Sequence, residues 1–252
     1  MKKLIGLLLV SFLLLNCAAV FAQQDSSRRN NIIKINLTSI ALKNYSLQYE
    51  HVVNHSQSFA LNVAFSPKVS LPFKQTLLDQ FGNNDDAKNA IESTKFTKIS
   101  ITPEYRFYLG KKGAPRGFYL APFARYTHMT LDQDYPFTPS DNVPHLAHVT
   151  GKFSGIGGGI MAGAQWSLSK SITLDWWIIG PFIGSMNASF HGTDDMSDMS
   201  AQDKANLESN IESTKIPLWT IDATVGNNTI DAKLKGPFYG IRGLGFSLGL
   251  RF

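Results

Sequence analysis

The chain has 252 residues, of which 43% are hydrophobic, 17% charged and 12% aromatic, and its formal net charge is +5. A mean hydropathy of −0.09 is too polar for a bundle of membrane helices, because each such helix needs an apolar run of about 20 residues. Apolar residues nevertheless recur along most of the chain, which excludes a disordered polypeptide. Composition alone leaves the fold class open.

The first 22 residues have the pattern of a secretory signal peptide. Two lysines precede an apolar stretch, and a small-residue cleavage site ends at Ala22. An uncleaved anchor is the alternative, but the polar Asn16 disfavours it. Cys17 suggests lipidation, although Asn16 stands where the bacterial lipidation box has a small residue. The mature chain would keep 230 residues, a net charge of +3 and no cysteine, and it shows no basic patch that indicates nucleic acid.

After a polar leader at 23–31, the chain alternates apolar and polar residues with the period of β-strands. Eight segments show this period: 32–42, 44–53, 58–66, 95–109, 117–130, 152–167, 172–178 and 238–252. No helical crossover separates the first three, so they form an antiparallel meander. The prediction is an all-β, eight-stranded antiparallel transmembrane barrel over 32–252.

The connections between these strands alternate in length. Those at 54–57, 110–116 and 168–171 are short, and those at 67–94, 131–150 and 185–236 are long. Outer-membrane barrels have this asymmetry, with short periplasmic turns and longer external loops. The short first connection, near Lys43, is the exception.

Residues 214–235 alternate as well and allow two interpretations. They form either a hairpin that projects above the membrane or two further spanning strands, which would make ten. Asp222, Asp231 and Lys233 would be poor neighbours for lipid, so the hairpin is favoured.

In a membrane barrel the apolar face points outward and the small, polar face lines the lumen. The predicted lumen charges are Lys34, Glu50, Lys98, Glu104, Arg106, Arg125, Asp175 and Arg251. The predicted aromatic girdles at the two interfaces comprise Tyr45, Tyr49, Tyr105, Tyr126, Trp166, Trp176 and Tyr239. Arg242 shares the outer face of Phe252, where it meets lipopolysaccharide or ends the apolar band.

The last strand places Phe246, Leu248, Leu250 and Phe252 on one face. This ending resembles the sorting strand that the outer-membrane assembly machinery recognises. A soluble lipocalin-like barrel is the alternative.

Two further resemblances cover nearly the whole mature chain. It resembles the small eight-stranded barrels typified by the X-type outer-membrane protein and by the membrane part of the A-type outer-membrane protein. The strings at 36–38, 47–50, 103–108 and 117–123 (NLT, LQYE, PEYRFY and GFYLAPF) resemble an uncharacterised family of such barrels from Bacteroidota. These resemblances imply a Gram-negative outer membrane and assign no activity. The sequence departs from the A-type pattern by ending at Phe252, so a peptidoglycan-binding domain is not expected.

Buried charges must be paired, so a lumen plugged by ion pairs is the first interpretation and a gated path for polar solutes the second. A lipid-modifying enzyme is less favoured, because no histidine is spaced to lie beside Ser154, Ser167 or Ser169 on the outer face. No metal or cofactor is predicted.

The long loops contain two segments with helical character, at 70–95 and 200–214. Each runs into the string IESTK, so they are two similar lids over the barrel mouth or a chance likeness. Ser200 and Asp203 predict a helix start. The predicted role is structural or adhesion-like, through loops that bind an unknown surface ligand, and the predicted partners are outer-membrane lipid, lipopolysaccharide and the assembly machinery.

Overall fold

The computed structural model describes residues 29–71, 74–81, 85–137, 145–214 and 216–252. The predicted signal peptide, Cys17 and most of the polar leader lie outside these ranges. The described strands are β1 Asn31–Asn36, β2 Tyr45–Val52, β3 Gln57–Ser70, β4 Lys95–Tyr108, β5 Gly117–Phe137, β6 His145–Ser167, β7 Ile172–Thr193, β8 Thr220–Val225 and β9 Thr229–Arg251. The described helices are α1 Leu37–Ala41, α2 Lys74–Phe81, α3 Asp85–Ser93 and α4 Ala201–Glu212.

Eight of the nine strands form a closed antiparallel ring. Strands β1 to β7 pair in chain order, β7 pairs with β9, and β9 returns to pair with β1. The register of the closing pair runs from Ile32 opposite Arg251 to Asn36 opposite Ser247. The predicted all-β barrel is confirmed. Closure of the ring leaves no long sheet edge at the end of the barrel that carries the short turns, which we call the lower end.

β8 is the ninth strand, and it lies outside the ring. It forms a hairpin with the first residues of β9, from Val225 opposite Ile230 to Thr220 opposite Lys235. The favoured interpretation of 214–235 as a hairpin therefore agrees with the structure, and the ten-stranded alternative is wrong.

The outer wall of the barrel is apolar, and its interior combines many polar side chains with a small apolar cluster that includes Phe123, Met161 and Trp177. Along β2, for example, Leu47 is exposed whereas Gln48 and Glu50 are buried. The same alternation holds on β3, where Leu61 is exposed and Asn62 is buried. Cβ atoms alternate between the two faces of a strand, so one sequence period creates both surfaces.

The predicted first strand is wrong beyond Asn36. The chain there turns into α1, and the Asn36 side chain caps this helix by accepting a hydrogen bond of 2.8 Å from the Ser39 amide. Leu37 and Ile40 are exposed on the short helix. Leu37, Ile40 and Ala41 have the i, i+3, i+4 spacing of a helical turn, whereas residues three positions apart lie on opposite faces of a strand. The period of two therefore ends at Leu37, and the predicted strand continued past it.

The predicted long loops at 131–150 and 185–236 are wrong in part, because strands occupy much of them. β5 to β7 and β9 contain 21, 23, 22 and 23 residues, whereas β1 has 6 and β2 has 8. One side of the barrel is thus extended into a tall sheet of β5, β6, β7, β9 and β8. Polar residues lie on both faces of this extension, so the apolar period that marks a strand disappears while the backbone pairing continues.

Helices occur in both predicted helical segments. α4 begins as predicted, since the Ser200 hydroxyl accepts a hydrogen bond from the Asp203 amide. Lys215, the last residue of the second IESTK string, lies outside the described residues. None of the described helices has the length and apolar character needed to cross a membrane.

Candidate functional site

Arg106 on β4 is the centre of a buried charge cluster in the lumen. Its Nη1 donates to Asp175 Oδ2 on β7 at 2.7 Å, and its Nε donates to Glu104 Oε1 on β4 at 2.7 Å. A third carboxylate, Glu50 on β2, accepts from Nη1 at 3.4 Å. All four side chains have no solvent-accessible surface. Inward-facing residues of three strands therefore meet at one guanidinium.

Lys34 on β1 supplies the second cation of the cluster. Its Nζ donates to Asp175 Oδ2 and to Gln165 Oε1, both at 2.7 Å, and it also forms an ion pair with Glu50. Each carboxylate oxygen in low dielectric needs several donors to offset the loss of water. Lys34 and Arg106 share Glu50 and Asp175, so the pairs form a network rather than isolated bridges.

Neutral side chains complete this network. The hydroxyl groups of Tyr108 and Tyr119 donate to Glu50 Oε1 at 2.7 Å and to Asp175 Oδ1 at 2.8 Å. Gln48 accepts from Arg106 Nη2 at 3.0 Å and donates to Glu104 Oε1 at 2.9 Å. The sequence prediction named only charged residues. These polar partners share the inward parity of their charged neighbours, so the same alternation could have found them.

Arg242 on β9 is the third cation, and its predicted place on the outer face is wrong. The side chain is 7% exposed, points into the lumen, forms an ion pair with Glu104 and lies 4.0 Å above the Trp177 ring. Leu244 has a positive φ of 55°, which interrupts the alternation on β9. Counting alternate residues back from Phe252 predicts that Arg242 faces outward. Residues of β9 that precede Leu244 in the chain instead face the opposite side, so Arg242 faces the lumen.

We call Lys34, Glu50, Glu104, Arg106, Asp175 and Arg242 the plug. It contains three cations and three carboxylates, so its formal charge is zero. Five of the eight predicted lumen charges belong to it. Arg251 does not, since its Nε donates to the Arg29 carbonyl at the end of the barrel that carries the short turns.

Lys98 on β4 and Arg125 on β5 are the remaining two predicted lumen charges, and both lie above the plug. They line a cavity of about 540 Å³, which we call the vestibule, together with Asn62, Trp177 and Arg242. Among the described residues, Arg125 donates to the Ser100 and Thr127 hydroxyl groups, each at 3.3 Å. In the described part of the chain, neither Lys98 nor Arg125 has a carboxylate partner. The upper lumen is thus positively charged above a neutral plug.

The predicted girdle residues lie on the outer face in two tiers. Tyr49, Tyr105, Trp166 and Trp176 lie toward the end with the short turns, and Tyr45, Tyr126 and Tyr239 lie toward the opposite end. In the last strand Phe246, Leu248 and Leu250 are exposed on the same face, and the Trp176 and Phe246 rings stack at 5.7 Å. The Phe252 amide donates to Asn31 at 2.9 Å, which closes the ring at the chain end.

A second feature lies on the outer face of the tall sheet. His128 Nδ1 on β5 is 2.9 Å from Ser154 Oγ on β6, and both residues line a groove of about 610 Å³ with Lys152, Asn187 and Lys233. The prediction that no histidine lies beside Ser154 is wrong. Their 26-residue separation gave no local signal, because the pairing of β5 with β6 brings them together. Among the described residues, no group of three or more histidine, aspartate or glutamate side chains is arranged to hold a metal ion.

Several solved structures resemble this fold. CarO of Acinetobacter baumannii is 10% identical over 85% of this chain and 98% of its own, with a TM-score of 0.31. The N-terminal β-barrel domain of Pseudomonas aeruginosa OprF is 9% identical over 90% of this chain and all of its own, with a TM-score of 0.26. The translocator domain of the Neisseria meningitidis autotransporter NalP is 9% identical over 98% of this chain and 97% of its own, with a TM-score of 0.34.

No curated protein matches the chain in sequence. A family described as proteins of unknown function (DUF3575) matches residues 8–220, which is most of the chain. The chain therefore belongs to the DUF3575 family.

Proposed function

We propose that this protein is an integral outer-membrane β-barrel with a closed lumen, and that it acts through the part that projects from the cell surface. The observation that carries the proposal is the plug, a solvent-free charge network inside a ring whose outer wall is apolar. A soluble barrel has the opposite arrangement, because its apolar side chains must face the interior.

The exposed wall supports the proposed membrane placement. Ile33, Leu61, Ile101 and Leu248 are each exposed on the outside of the ring, and the two tiers of aromatic residues border this surface. Water would have to hydrate such a wall, whereas lipid would cover it at no cost. Export would depend on the signal peptide at 1–22 and insertion on the final strand. Lipid and lipopolysaccharide would be the immediate neighbours.

The plug argues against a diffusion pore. Arg106 bonds to strands on several sides of the lumen, and every plug carboxylate has at least two donors. A permeating ion would have to replace these bonds, which cost several kcal/mol when broken in a buried site. A small gated pore is the alternative, with the vestibule as its outer half.

Conductance in planar bilayers tests closure, after folding has been checked by heat-modifiable gel mobility. The refolded protein is expected to give no steady channel openings. R106L removes the central cation of the plug, and this variant is expected to give channel openings. Stable ion-selective openings of the unaltered protein would contradict closure. A soluble periplasmic fraction in cells would contradict the membrane assignment.

The tall sheet supports a role at the surface. A strand needs about 9–11 residues to cross a membrane, and β5, β6, β7 and β9 are about twice that length. Their upper halves, the β8 hairpin and α4 would form one continuous outward surface. Protease cleavage within 194–228 on intact cells, with an intact barrel fragment left behind, is the expected result. Pull-down through this segment would then identify its ligand.

A second candidate function is ester hydrolysis on the outer face, which the His128–Ser154 pair favours. A histidine beside a serine is the arrangement that activates a nucleophile. Against it, no carboxylate bonds to His128 in the described part of the chain, so nothing orients the ring. Phospholipid hydrolysis by the refolded protein that S154A abolishes would establish this function, and equal activity of the two would exclude it.

A further inference from the structure

The ring has a gap in its wall beside the vestibule. β9 pairs with β1 only over Ser247–Arg251 and with β8 only over Ile230–Lys235. Residues 236–246 of β9 therefore have a neighbouring strand on the β7 side alone. The cause lies in β1, which ends at Asn36 and turns into α1 instead of continuing upward.

α1 closes the lower part of this gap. The Phe246 amide donates to Thr38 Oγ1 on α1 at 2.7 Å, which replaces the strand partner that β1 would have supplied. Above this bond the rim is apolar and open. Ile241 and Leu244 on β9 are 71% and 75% exposed, and Leu42 forms the opposite side. All three residues also line the vestibule, so the cavity reaches the outer wall through the gap.

The inner side of the vestibule has the opposite character. Lys98 and Arg125 lack carboxylate partners in the described chain. Arg242 also lines the vestibule, and its buried Nη2 has no hydrogen-bond partner among the described residues. A buried guanidinium nitrogen without a partner is costly, and it indicates a place for an acceptor.

We infer that the vestibule binds an amphiphile with an anionic carboxylate or phosphate head and a single apolar chain. The head would accept hydrogen bonds from Arg125, Arg242 and Lys98, and the chain would leave through the gap between α1 and β9, along Leu42, Ile241 and Leu244. A cavity of about 540 Å³ is within the range for small-molecule sites, about 300–1,000 Å³. The route of the ligand's apolar chain into lipid rests on the proposed membrane placement. The binding of its anionic head does not, because the charges that would bind it lie inside the lumen.

Calorimetric titration of the refolded protein in nonionic detergent tests this inference, with empty micelles as the blank. Dodecanoate and dodecyl phosphate are the probes. Dodecanol lacks the charge, and acetate and inorganic phosphate lack the chain. Saturable 1:1 binding is expected for at least one anionic amphiphile, and binding at least about tenfold weaker for its uncharged and chainless counterparts.

Three variants locate the site. The double variant K98Q/R125Q is expected to bind the amphiphile at least about tenfold more weakly. K152Q/K233Q, which removes two charges from the outer groove, is expected to bind it normally. L244N makes one of the three apolar rim residues polar while tolerating the positive φ, and it is expected to weaken binding of the amphiphile.

Equal affinity of K98Q/R125Q and the unaltered protein, in samples that keep heat-modifiable mobility, would overturn the inference. Binding of acetate or phosphate as tight as that of the amphiphile would also overturn it, since the ligand would then be a soluble anion that enters from the mouth. These binding measurements do not depend on conductance or on a surface ligand. The inference about the vestibule can therefore be wrong while the proposed function is right.

Discussion

Arg106 and Asp175 are joined across the lumen by a hydrogen bond of 2.7 Å between Nη1 and Oδ2, and neither side chain has any solvent-accessible surface. They are 69 positions apart in the chain and lie on β4 and β7, which are not neighbouring strands. The bond therefore braces the ring internally, in addition to the backbone pairing along its wall. Its loss should affect both the stability of the barrel and the closure of the lumen.

Replacing Arg106 by leucine should strongly destabilise the barrel. Glu50, Glu104 and Asp175 would each lose a partner in a site that water does not reach, and breaking a buried ion pair costs about 3–5 kcal/mol. Urea unfolding in detergent micelles, followed by tryptophan fluorescence, measures the free energy of unfolding. R116L is the matched control, because Arg116 is exposed on a short turn. Equal stability of the two variants would show that the plug contributes little.

Charge balance within the plug can be tested by a double-mutant cycle on Lys34 and Asp175. K34M and D175N each leave the plug with one unpaired charge, whereas the double variant again has equal numbers of cations and carboxylates. Residues that share one ionic network typically couple by about 0.5–3 kcal/mol. The double variant should therefore lose less stability in urea than the two single variants together. Additive losses would contradict a shared network.

The sequence allowed prediction of the barrel and of which face each strand turns inward, because Cβ atoms alternate strictly along a strand. Lys34, Glu104 and Arg106 were assigned to the lumen on this basis, and they lie there. Their mutual contacts could not be predicted, since the distance from β4 to β7 depends on how the ring closes. A single strand carries no information about the stagger between distant strands.

Two local features defeated the alternation. One left-handed residue, Leu244, reversed the parity of β9 and hid Arg242 from the prediction. At the other end of the gap, Asn36 caps a helix, and the strand predicted over 32–42 ran past the end of the period of two at Leu37. Asn36 and Leu244 both line the vestibule. The backbone is irregular at both residues, so the alternation of the strands could not predict this cavity.

Close strand packing at Gly184 should make an added methyl group destabilising. A Cβ at this position of β7 would overlap the carbonyl oxygen of Ile156 and the Cα of Gly157 on β6. Backbone atoms cannot rotate away as a side chain can, so G184A must separate the two strands, at a cost of about 1–3 kcal/mol. The midpoint of urea unfolding measures this loss.

Gly192 supplies the control for that substitution on the same strand. Its added Cβ would lie 3.4 Å from the Val149 side chain, 3.5 Å from Ile230 Cβ and 3.6 Å from the Ile230 carbonyl oxygen, which are ordinary contacts. G192A should therefore unfold at nearly the same urea concentration as the unaltered protein. A larger loss for G192A than for G184A would mean that strand spacing in the barrel is set elsewhere.

The edge of β8 is covered by α4, and this cover should protect two amides from exchange. Glu208 and Glu212 lie one turn apart on the helix and accept hydrogen bonds from the Val225 and Ala223 amides, both at 3.1 Å. An uncovered strand edge offers its free amides to water or to another chain. E208A/E212A should therefore speed hydrogen–deuterium exchange over 220–225 and promote association of the barrel through this edge.

Q202A/N206A is the control, because it removes an exposed pair bonded at 3.0 Å on the same helix. This variant should leave the exchange rate and the association unchanged. Unaltered exchange in E208A/E212A would mean that the two carboxylates do not hold α4 against the strand, and that the hairpin keeps its edge protected without the helix.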